Sequence, residues 1–235
     1  MVSPILFTLL THDCPPLHNS NSIIKFADDT TVVGLISNND GTNYRSEVSR
    51  LTSWCRHNNL SLNVEKTKEI VVDFRRAHTQ HPSLSTNGAA VERVSSTKFL
   101  GVHVSEDLSW TTNTSSLAKR AHQRLHFLCK LRRAGAPPPI MCTFYRRTIE
   151  SVLSSCITVW YGACTTSCRR SLQRIVRVAE KITGTSLAPL QELYNARLTR
   201  KAIRIAEIPP TLHVASSVSC RQGGDCGVSG PGPAD

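Results

Sequence analysis

Two adjacent aspartates, Asp28 and Asp29, stand between short β-prone runs in the stretch from Ile23 to Val33, IIKFADDTTVV. Two carboxylates about 4 Å apart repel by roughly 4 kcal/mol at an effective dielectric near 20. Water at a hairpin tip relieves that cost, and so does a divalent cation between the two groups. Mg²⁺ favours a few carboxylates together with phosphate oxygens and water. A two-metal site of that kind clamps the attacking and leaving oxygens of an in-line phosphoryl displacement. The competing reading is an ordinary turn, where Asp is favoured because its side chain bonds its own backbone. Taken alone, the dipeptide favours the turn.

The second chemical feature is a one-sided charge distribution. The chain of 235 residues has a net charge of +11. Residues 1–115 carry 10 Lys/Arg against 11 Asp/Glu, whereas residues 116–208 carry 17 against 4, and the last 27 residues are net −1. Arg170, Arg174, Arg177 and Lys181 recur at i, i+4, i+7 and i+11, a single helical stripe. Arg197, Arg200/Lys201 and Arg204 make another, and Lys119, Arg120, Arg124, Lys130, Arg132 and Arg133 add to the preceding helix. Every amphipathic helix carries polar residues outside, but a solvated face normally mixes signs, and these faces hold almost no acid. Such a surface suits a polyanion, most commonly nucleic acid. Each neutralised duplex phosphate contributes about −0.9 to the log–log salt slope.

The nine cysteines are irregularly spaced and odd in number, which reads as free thiols in a reducing compartment. Cys164-x₃-Cys168 and Cys220-x₅-Cys226, with His213 nearby, are possible zinc half-sites, but no second pair follows at finger spacing. The opening run MVSPILFTLLTHDCPP lacks a basic leader and a small-residue cleavage site and is too short to span a bilayer. Nothing later reaches 18 apolar residues. The expectation is an intracellular protein, nuclear or cytoplasmic, with no membrane segment; oligomeric state is not encoded in any pattern here.

The elements that position these residues are of two kinds. Residues 2–10 read as the end of a buried helix, and 22–27 and 30–36 as strands flanking Asp28-Asp29. Asn38-Asn39-Asp40-Gly41 is a turn, and the apolar spacing of Tyr44, Val48, Leu51 and Trp54/Cys55 predicts a helix over 43–58. Further strands are expected at Ile70–Phe74 and at Thr97–Val104, the latter with Gly101 marking a bend or close approach. After residue 110 the period becomes helical. Leu117, Ala121, Leu125 and Leu128 mark one helix, closed by Gly135 and Pro137–Pro139. Ile140 to Cys156 marks a second, Leu172 to Ile182 a third that stops at Gly184, and Pro189 opens a fourth running to about 206. The fold class is α+β: an α+β region over 1–110, a basic all-α region over 111–208, and a tail over 209–235 rich in Pro, Gly and Ser, expected to be disordered.

The order of short motifs resembles the reverse transcriptases of non-LTR (LINE-type, CR1/L2/Rex-like) retrotransposons over roughly residues 2–205. Ser3-Pro4-Ile5-Leu6-Phe7 resembles the tail of motif B, Phe26-Ala27-Asp28-Asp29 motif C, Asn63-Val64-Glu65-Lys66-Thr67-Lys68 motif D, and Phe99-Leu100-Gly101 the primer grip. The resemblance implies a partial polymerase palm over 1–110 and a thumb over 111–208. It implies that Asp28 and Asp29 hold Mg²⁺ and catalyse nucleotidyl transfer, and that Lys66 protonates pyrophosphate. It also implies that Phe26, Phe99, Leu100, Gly101, Arg120, Arg124, Arg170, Arg174, Arg177 and Lys181 meet an RNA template and DNA primer. The third carboxylate of such a site, in motif A, has no counterpart, because the chain opens inside motif B; Asp13 does not replace it. The expectation is therefore an N-terminally truncated remnant, inactive by itself.

Two other readings compete. One is a basic helical module that binds nucleic acid without sequence preference. The other starts from residues 97–140, FLGVHVSEDLSW to KLRRAG, which resemble the short N-terminal region of AlkB-type alkylated-DNA-repair proteins that carry a methyltransferase. No histidine here is followed two residues later by Asp, and no glycine-rich S-adenosylmethionine loop follows a strand. The chain thus lacks the recognisable residues of oxidative demethylation and of methyl transfer.

Overall fold

A computed structural model describes residues 4–75 and 81–207. The expected disordered tail, with His213, Cys220 and Cys226, and Ser3 at the other end, lie outside the described residues. Within them the chain is mixed α+β, with small two-stranded sheets before residue 106 and helices after 110.

The first unit is a hairpin under a helix. Strands β1 (Asn21–Phe26) and β2 (Asp29–Gly34) pair antiparallel, with Ile23 opposite Val32 and Phe26 opposite Asp29. The turn is Ala27-Asp28, with Ala27 at φ 51°, so Asp29 belongs to the second strand and the tip is displaced by one residue from the expected Asp28-Asp29. Helix α2 (Thr42–His57) packs Leu51 and Cys55 with Cys14 against Ile23 and Val32. Gly34 permits this approach: a Cβ there would lie 2.6 Å from Tyr44 Cδ2. The preceding loop is tied down by the buried carboxylate of Glu47, which accepts from Leu17 N (2.8 Å), His18 N (3.3 Å) and Asn21 Nδ2 (3.3 Å). Helix α1 (Pro4–Leu10) forms as expected, but Ile5, Leu6, Leu9 and Leu10 are exposed, not buried.

The middle segment has less regular structure than its apolar content predicts. Ile70–Phe74 is not a strand: β3 (Lys68–Glu69) makes a two-residue parallel pairing with β6 (Glu92–Arg93) and then ends, leaving Val72 and Phe74 exposed. Strands β4 (Ser85–Thr86) and β5 (Ala89–Ala90) close over Asn87-Gly88, both at positive φ. Thr97–Val104 is not one strand but a hairpin, β7 (Ser96–Phe99) against β8 (Val102–Ser105), turning at Leu100 (φ 44°) and Gly101 (φ 88°). Two consecutive residues in the left-handed region are the signature of a two-residue hairpin turn whose twist matches that of the strands.

The helices share one core. In α3 (Thr111–Arg133) the stripe Leu117, Ala121, Leu125, Leu128 is fully buried and joins Leu172, Ile175, Val176 and Ala179 of α7 (Thr166–Thr183) in one cluster. Between them runs a continuous helical segment: α4 (Pro138–Phe144), a π-helical turn over Tyr145–Glu150, and a final α turn, α5 (Ser151–Leu153). It contributes Tyr145, Ile149 and Leu153 to the same core. Pro138 begins this segment because its missing N–H would be unpaired there anyway. The short α6 (Ile157–Trp160) buries Trp160, whose Nε1 donates to Ser155 O at 2.8 Å. Thr165 caps α7, accepting from Cys168 N, and Gly184 ends it at φ 71° with its N–H on Glu180 O. Helix α8 (Leu190–Ala206) buries Leu190 and presents Leu198, Ile203 and Ile205 to solvent.

Candidate nucleic-acid interface

The residues singled out in the first half are scattered over several small elements. Asp28 and Asp29 are exposed at the β1–β2 tip, and Phe26 beside them is 62% exposed. Lys66 is exposed on a turn that the Asn63 side chain closes by accepting from the Lys66 backbone N–H at 3.1 Å. Phe99 is half-buried in β7, while Leu100 and Gly101 form the β7–β8 turn. Among the described residues no three His, Cys, Asp or Glu side chains converge.

The basic residues of the helical half divide into two groups. Some hold the fold together. Arg132 donates to Lys181 O and Ile182 O, where α7 ends and its carbonyls carry partial negative charge. Arg169 donates to Tyr161 O and Gly162 O and lies 5.2 Å over the Tyr161 ring. Arg197 reaches Ser154 through its backbone carbonyl and Oγ, and Arg124 donates to Thr148 O. The others face water. Arg170, Arg174, Arg177 and Lys181 are all exposed along α7, opposite the buried Leu172, Ile175, Val176 and Ala179. Arg120 is half-buried, and its Nε has no protein partner.

Charge pairing follows the same division. The ion pairs Arg50–Glu47, Lys68–Glu92, Arg75–Asp73 and Arg93–Glu69 all precede residue 94. Among the described residues beyond 110 no Lys or Arg is ion-paired, so the four glutamates of that half offset only part of its positive charge. Cys164 is buried, and desolvation, with Cys168 adding to it, pushes its thiol up to about 11. That is the behaviour of an inert core cysteine, since reactivity and metal binding need the thiolate.

A groove between α3 and the π-helical segment was not anticipated from the sequence. It measures about 710 Å³ and is lined by Arg124, Phe127, Lys130, Leu131, Phe144 and Arg147, with Ala134 and Thr148 completing it. Phe127 was the available signal. It falls out of phase with the buried stripe of α3 and shares a face with Arg120, Arg124 and Leu131 at i−7, i−3 and i+4.

The family described as "Alkylated DNA repair protein alkB homolog 8, N-terminal" matches residues 110–151. The chain is similar to that family over α3, α4 and the π-helical turn, ending at the first residue of α5. No curated protein and no solved structure matches. These findings overturn the retrotransposon expectation: no reverse transcriptase family matches, and nothing supports a polymerase, a nucleotidyltransferase or a retroelement remnant. The matched segment instead fits the AlkB-type reading of residues 97–140, shifted toward the C-terminus. The boxes of the motif resemblance are short and are scattered over α1, the β1–β2 hairpin, a turn and the β7–β8 hairpin, whereas residues 110–151 cover α3, α4 and the π-helical turn. With the polymerase reading overturned, nothing assigns a catalytic role to Asp28, Asp29 or Lys66.

Proposed function

We propose that the helical half is a nucleic-acid-binding module that contacts the phosphate backbone without reading base sequence. The observation that carries this reading is the α7 face: Arg170, Arg174, Arg177 and Lys181 are exposed, in register, and free of acidic neighbours in ion pairing. Phosphate contacts of this type position a protein on a strand but carry no sequence information. The match to the N-terminal region of a family described as alkylated-DNA-repair proteins agrees with a nucleic-acid partner. The test is anisotropy of labelled oligonucleotides across a salt series, comparing the natural chain with a variant in which those four side chains are glutamine. Binding that weakens steeply with salt and is reduced in the variant supports the module. Salt-independent binding, or none, rejects it.

A further inference from the structure

Phe127 is 55% exposed on α3, on the helix face away from the buried Leu117–Leu128 stripe. Leaving a ring of that size in water forgoes about 1.5–3 kcal/mol of burial. It is not an isolated surface aromatic. His126 meets it edge to face at 5.8 Å, and across the groove stands Phe144 on the opposing helical segment. The apolar floor is rimmed by Arg124, Lys130 and Arg147, with no acid in the lining. The groove is an open surface depression and not an enclosed pocket, so a ligand there would stay partly in water.

The opposing wall is the π-helical turn over Tyr145–Glu150, which carries Arg147 and Thr148. Such turns are rare and recur at functional sites. Here Thr148 Oγ1 donates to Phe144 O at 2.8 Å and Ser151 Oγ donates to Arg147 O at 2.7 Å. These bonds give two backbone carbonyls of the turn additional partners. Arg124 spends one N–H on Thr148 O and keeps its remaining donors.

We infer that this groove is a stacking site for an unpaired base of single-stranded nucleic acid, with Phe127 as the platform and Arg124, Lys130 and Arg147 on the flanking phosphates. The inference rests on the nucleic-acid reading and sharpens it. A duplex hides its base faces inside the stack and offers the groove only phosphates. A single strand offers both a π-face and phosphates, and stacking on aromatic side chains is tolerant of base identity.

The experiment measures binding of the full chain to a labelled oligo(dT) strand and to a duplex of the same length, for the natural protein, Phe127→Ala and Phe127→Trp. Phe127 is exposed, so the variants keep the fold, which circular dichroism checks. The expected result is a loss of about tenfold or more in single-strand affinity for Phe127→Ala, unchanged duplex affinity, and recovery in Phe127→Trp. Single-strand binding that stays salt-dependent but ignores Phe127→Ala overturns the stacking site and leaves the module intact. Absence of binding to either oligonucleotide overturns both. A synthetic amphipathic Glu/Leu peptide bound in a Phe127-dependent way, with oligonucleotide binding indifferent to Phe127, would assign the groove to a protein partner and overturn the inference.

Discussion

Glu47 and Arg50 stand one turn apart on α2, and the fully buried carboxylate of the first receives both Nε and Nη2 of the second, at 3.0 and 2.7 Å. Burial pushes the Glu47 carboxyl up, but the donors from Arg50, Leu17, Asn21 and His18 together outweigh it and hold the group below the usual range. A carboxyl lowered on folding stabilises the protein above its unfolded value, about 4.3, and loses that contribution as pH falls through the lower folded value. The β1–β2 and α2 unit is therefore expected to loosen in acid below about pH 4. Glu47→Ala should cost about 1–3 kcal/mol by leaving the donors of Asn21, Leu17, His18 and Arg50 without their acceptor, and the acid transition of that unit should flatten in the variant. Denaturant melts at pH 7 and pH 3.5 provide the comparison.

Leu128 has no exposed surface and touches the centre of the helical cluster. Leu128→Ala should lower stability by about 2–5 kcal/mol through lost burial and a residual cavity. Thermal denaturation followed at 222 nm reads the loss.

Gly184 ends α7 in the left-handed region, and a Cβ there would meet nothing within 4 Å. Gly184→Ala should therefore cost only backbone strain, about 1 kcal/mol, and Gly184→Asn less. A larger loss would mean that Gly184 is packed more closely than its surroundings indicate.

Replacing Arg170, Arg174, Arg177 and Lys181 by glutamine removes up to four phosphate contacts. On duplex DNA the log–log salt slope should fall by up to about 0.9 per contact, and on a single strand by about 0.7. Replacing the exposed Lys66, Asp28 and Asp29 should leave that slope unchanged.

The helical half was legible because its signal is long and redundant. Leu117 to Leu128 and Leu172 to Ile182 repeat the apolar period over three turns each, and Gly135, Gly184 and the Pro137–Pro139 run punctuate them. The strands were harder. Ile70 to Phe74 has β-prone composition, but a strand exists only with a partner, and pairing across to Glu92–Arg93 stops after two residues. Thr97–Val104 read as one run because Leu at position 100 hid a turn, its positive φ being imposed by the hairpin and not by its own preference. The groove escaped notice because it needs α3 and the π-helical turn to be placed side by side, and periodicity within one helix carries no such information. The basic stripe of α7 was legible in position but not in role: the sequence could not separate Arg132, Arg169 and Arg197, which hold carbonyls, from the arginines that face water.

The segregation of ion pairs to the region before residue 94 gives the two halves different ionic responses. In the acid-balanced half, added salt weakens attractions. In the helical half there is chiefly repulsion to screen, so the same salt relaxes a self-repelling shell and tightens the fold. If the helical half binds nucleic acid as proposed, the salt that would release the strand would also relieve the self-repulsion of the free protein. On that proposal a bound strand, by neutralising the same charges, would stand in for the salt.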